Sequence, residues 1–91
     1  MEEKIILQEE VLEEQQKELE EKILELIEGK KFGSLKEMLS EMNPVDIALI
    51  FEEIPEKDIS VIFRILPKEL AAEVFVEIDS DMQQFLIEAF S

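Results

Sequence analysis

Of the 91 side chains, 24 are carboxylates, nine are Lys or Arg, and none is His or Cys. That inventory excludes thiol nucleophiles, imidazole acid–base catalysis and thiolate zinc sites. Catalysis would need a paired-carboxylate or lysine mechanism. No pair in this chain has a setting that distinguishes it, so the sequence reads as that of a non-enzyme. Carboxylates can, however, hold hard cations. Glu52, Glu53, Glu69 and Glu77 fall on predicted helix faces at spacings that could share an ion, though a plain solvated face explains them too. Asp79-Ser80-Asp81 opens like a calcium loop. Its sixth and twelfth positions are Gln84 and Phe90, where Gly and Glu are required, so the motif is rejected. Lys30 and Lys31 lie between Gly29 and Gly33 without the glycine spacing of a phosphate loop. Cations at a helix C-terminus, favoured by its dipole, account for them.

The formal charge is −15. Residues 1–28 hold eleven Glu against three Lys, and residues 43–91 hold eleven acids against three bases. A field of that sign repels nucleic-acid phosphates and anionic lipid heads, so neither is expected as a partner. It attracts cations and basic proteins. Acidity that serves only solubility is the competing account. The longest apolar run, Ile47 to Phe51, is far short of the roughly 20 residues of a membrane helix. Met1-Glu2-Glu3-Lys4 is not the start of a signal peptide. A cytosolic segment with no membrane insertion of its own is expected.

Two kinds of order must position these residues. Residues 1–28 predict one long helix, with Ile5, Leu12, Leu19 and Leu26 at heptad spacing and Ile23, Leu24 and Ile27 widening the stripe. Packing of that stripe on its own domain is favoured over a coiled coil. Gly29 and Gly33 read as stop signals. Residues 34–91 then repeat an apolar quartet at i, i+3, i+4 and i+7 every twelve residues. The copies are Leu35/Met38/Leu39/Met42, Ile47/Ile50/Phe51/Ile54, Ile59/Ile62/Phe63/Leu66 and Ala71/Val74/Phe75/Ile78, and then Gln83/Leu86/Ile87/Phe90, where Gln83 breaks the pattern. Asn43, Pro55, Pro67 and Asp79 share one column between copies. Asn43-Pro44 with Asp46, Ser34 with Glu37, and Asp79 read as helix N-termini. Pro55 and Pro67 read as ends of the helices before them. Helices this short persist only by stacking. The expectation is a single all-α domain over 1–91. It consists of a superhelix of short helices in a twelve-residue repeat, preceded by one longer N-terminal helix. Glu73 is out of place in that repeat, because its column otherwise holds Leu49, Val61 and Phe85.

From about Lys22 to Phe90 the chain resembles the N-terminal domain of the MgtE family of magnesium transporters. Leu26-Ile27-Glu28-Gly29, Leu35 to Met42 and Asn43-Pro44-Val45-Asp46-Ile47-Ala48 carry the likeness. The most specific run is Phe63-Arg64-Ile65-Leu66-Pro67-Lys68-Glu69-Leu70-Ala71-Ala72-Glu73-Val74. The resemblance implies a cytosolic superhelix of short helices that precedes a CBS domain pair and a dimeric membrane pore. It implies that Mg2+ bound between acidic faces of the N and CBS domains closes the pore, and that loss of Mg2+ lets those faces repel and the pore open. It points to Glu73 as a metal ligand facing the CBS side; Glu69 and Glu77 are weaker candidates, on their spacing alone. It also implies that further acidic ligands lie beyond Ser91, so that this segment holds an incomplete site. Asn43 to Ile50 is similar as well to the middle domain of the flagellar rotor switch protein G, a helical interaction scaffold. Asp46 and the Leu66 to Val74 run favour the transporter.

Overall fold

In the computed structural model of the protein, the backbone is described for residues 2–91 and side chains for residues 13–91. Among the described residues six helices follow one another: α1 (Glu2–Glu28), α2 (Phe32–Ser40), α3 (Pro44–Phe51), α4 (Glu56–Ile65), α5 (Lys68–Glu77) and α6 (Ser80–Ala89). No strand occurs among the described residues, and one long helix precedes five short ones. The starts of α2 to α6, at residues 32, 44, 56, 68 and 80, lie twelve residues apart.

The short helices span eight to ten residues, below the length at which a helix holds in water by itself. What holds them is burial. Leu35 and Leu39 of α2, Ile47, Ile50 and Phe51 of α3, Ile59 and Ile62 of α4, Val74 of α5 and Leu86 of α6 enter one core. α3 packs on α5 and α2 on α4, while α1 lies against α2 and α4. Within α1, Ile23 and Leu26 are buried and Leu19, Leu24 and Ile27 pack on the core, so this stretch of the stripe serves its own domain. Ile5 and Leu12 fall outside the residues whose side chains are described.

The helix ends differ from expectation in instructive ways. Asp79 caps α6 through a carboxylate that accepts from the Met82 N–H at 2.8 Å. Asn43 occupies the N-cap of α3 with Pro44 behind it, but its side chain makes no cap bond. Ser34 caps nothing, because α2 begins two residues earlier at Phe32. Pro55 and Pro67 are N-cap residues of α4 and α5. Pro67 also follows the extended C-cap of α4, Leu66, and so bounds the helix before it as expected. By contrast, α3 already ends at Phe51, well before Pro55. Gly33 lies inside α2 and stops no helix.

The end of α1 is a Schellman turn. The Lys31 N–H donates to the Leu26 carbonyl at 2.8 Å, and the Lys30 N–H to the Ile27 carbonyl at 3.0 Å. These are the paired bonds of that motif. The left-handed residue it requires is not Gly29 but Lys30, at φ 55°. Gln83, which breaks the apolar pattern, has a polar task. Its Nε2 donates to the Phe75 carbonyl in the last turn of α5 at 2.7 Å, satisfying an acceptor that no helical N–H reaches. In the same unit Ile87 is 53% exposed, against the inward position the quartet assigns it. Phe90, also exposed, stacks obliquely on Phe63 at 5.6 Å and lies under the Arg64 guanidinium at 5.4 Å.

Two predictions follow from these ends. Lys30→Gly removes the Cβ strain of a left-handed residue. It should stabilise the domain by about 0.5–1 kcal/mol, raising Tm by roughly 3–6 °C, whereas Lys30→Ala should not. Gln83→Ala orphans the Phe75 carbonyl and should cost about 1 kcal/mol, lowering Tm by roughly 4–8 °C. Thermal unfolding followed by circular dichroism reads both.

Candidate functional site

The packing of α3 on α5 decides which carboxylates can act together. Glu69, Glu73 and Glu77 recur every four residues along α5, so they share one helix face. All three are exposed. The N-terminal turn of α3 carries Asp46 to the same side. An open groove of about 490 Å³ is lined by Asn43, Pro44, Val45 and Asp46 from the start of α3 and by Glu73, Val76 and Glu77 of α5. The structure therefore brings Glu73 and Glu77 together and adds Asp46, while Glu69, one turn earlier, does not line the groove. Every charged residue lining it is an acid. Among the described residues, no three Asp or Glu side chains converge closely enough to hold a metal ion by themselves.

Asp46 was legible in the sequence only as part of a helix N-terminus. Its place opposite Glu73 and Glu77 depends on α3 and α5 being neighbours, which the local pattern does not state. Glu52 and Glu53 correct another expectation. They lie in the turn after α3 rather than on a helix face. Glu53 instead closes a second acidic groove with Glu13, Gln16, Lys17 and Glu20 of α1. There, burial raises the pKa of the Glu20 carboxyl above its ordinary value, and the negative charges of Glu53 and Glu21 add to the rise, while Lys17 opposes it.

A profile of the MgtE intracellular N domain matches residues 42–91, more than half of the chain. The match takes in α3 to α6 and all the residues of the α3–α5 groove. It begins further along the chain than the resemblance drawn from Lys22, leaving α1 and α2 outside. No curated protein and no solved structure gives a match. Among the described residues, no helix is long and apolar enough to cross a membrane.

The raised pKa of Glu20 has a sign that can be checked. Its charged form is disfavoured in the folded state, so the native protein loses stability as pH rises through the folded-state pKa. Glu20→Gln should therefore raise the urea midpoint at about pH 7 and leave it nearly unchanged at about pH 3.5, where the carboxyl is protonated in both states.

Proposed function

The chain belongs to the family of MgtE intracellular N domains, and from that premise we propose that it is the magnesium-sensing regulatory domain of a transporter. In this reading its acidic α3–α5 face docks on a CBS domain pair and so biases a dimeric pore towards closure. The family is one of transporter domains, not of enzymes. The observation that carries the proposal is the gathering of Asp46, Glu73 and Glu77 in one open groove, on a chain of charge −15.

The donor chemistry fits the ion. Magnesium prefers carboxylate oxygens and needs only one or two of them, because it keeps most of its water. One or two of Glu73 and Glu77, a helical turn apart on α5, and Asp46, which lines the same groove from α3, would be enough for the protein's share of such a shell. A bound magnesium ion would supply the positive charge that allows two acidic surfaces to meet.

The chain's own residues do the rest. Without a counter-charge, Glu73, Glu77 and Asp46 repel an acidic neighbour and favour separation. Because they project from packed helices rather than from a loop, that repulsion acts on the domain as a body. A ligand shifts such an equilibrium only by its differential affinity for the two states. A swing from 1:99 to 99:1 takes about 5.5 kcal/mol. Exposed charges are individually weak and screened by salt, so several contacts must act together. Glu69, on the same face outside the groove, belongs to that outer set.

The test is association of this domain with the CBS pair of the same transporter at fixed ionic strength. Binding should appear as magnesium enters the millimolar range. Glu73→Gln should move the midpoint to roughly two- to fivefold higher magnesium. Association that ignores both magnesium and Glu73 would remove the sensing role.

A further inference from the structure

We propose that the outward face of α3 docks a basic amphipathic helix of a partner protein, without a metal ion. The observation begins with composition. In α3 the sole polar side chain is Asp46, and a helix apolar on every side belongs in an interior. Here only one side is covered. Ile47, Ala48, Ile50 and Phe51 are buried, while Val45 and Leu49 are 50% and 42% exposed.

Leu49 opens on a groove of about 540 Å³ between α3 and α1, with Leu19, Met42 and Ile50 also in its lining. That space can accept a few aliphatic side chains. Gln15 and Gln16 at its α1 side can both donate and accept hydrogen bonds. Among the described residues, the charged ones lining it, Glu41 and Asp46, are both acids. On the other side of Asp46, Val45 lies beside Val76, which is 74% exposed, within the groove bordered by Glu73 and Glu77. The whole forms an apolar strip bordered by carboxylates.

The occupant follows from charge and shape. Apolar anchors at i, i+3, i+4 and i+7 suit a groove beside a helix, and Lys or Arg flanking them would meet the acids. A second copy of this chain is the wrong partner, since an isologous contact would set these acids against themselves in a chain of charge −15. This inference goes beyond magnesium-dependent docking, because it requires no cation.

The experiment uses a fluorescein-labelled Leu/Lys peptide of about 18 residues, five helical turns, and a scrambled peptide of the same composition. Anisotropy is read in EDTA, so this test and the magnesium titration can fail independently. Saturable binding of the amphipathic peptide, at least about tenfold tighter than the scramble, is expected. Leu49→Glu removes the anchor while adding negative charge, and should weaken binding about tenfold or more. Glu88→Gln on α6 should bind as the unaltered chain does. Circular dichroism confirms that both variants remain folded. Equal binding of the scramble, or undiminished binding by Leu49→Glu, would reduce the effect to bulk charge attraction and overturn the proposal. Sedimentation showing dimers that Leu49→Glu dissociates would overturn it in favour of self-association.

Discussion

Helices of two to three turns cannot survive in water, and everything in this domain follows from the way they are kept. Each of α2 to α6 sends one to four aliphatic or aromatic side chains into a common interior. Removing any one helix would expose the matching faces of its neighbours, so the set stands or falls together. That interdependence is also what gives the surface meaning. Carboxylates on helices fixed in this way keep their relative positions, as Glu73 and Glu77 do on α5 opposite Asp46 on α3. Spread along a flexible chain, the same acids would merely be solvated.

Much of this architecture can be read from the residues. The buried positions Ile47, Ile50, Phe51, Ile59, Ile62, Val74 and Leu86 are quartet members, because helical periodicity is a local property and the core obeys it. Asp79 announces itself as a cap because a carboxylate before a helix has few better uses. Other features escape a local reading. Lys30 in a left-handed turn contradicts its own propensity, and only the hydrogen bonds it completes explain it. Gln83 breaks an apolar column because the acceptor it satisfies, the Phe75 carbonyl, belongs to the preceding helix. Pro55 and Pro67 were legible as boundaries, but which helix each one bounds depends on backbone angles set by the turn. The candidate site divides the same way. Glu73 stands out by departing from its column, whereas Asp46 joins it only through packing.

Two features of the surface pull in different directions. A charge of −15 opposes contact with acidic surfaces, while Val45 and Leu49 of α3 are exposed apolar residues whose burial would favour contact. In the proposed reading, repulsion would make release the default in the absence of a counter-charge, and the apolar strip on α3 would supply specificity that charge alone lacks. The balance is delicate because individual surface charges contribute little and are screened by salt. Only their arrangement on one rigid face gives a response larger than the sum of scattered contacts.

The most direct check on this account is an amide NMR titration of the domain with magnesium, with sodium adjusted to hold ionic strength constant. The account predicts that shifts concentrate on Asp46, Glu73, Val76 and Glu77, where acids from two helices meet. Shifts spread evenly over the many other exposed carboxylates, or absent from the α3–α5 groove, would contradict it.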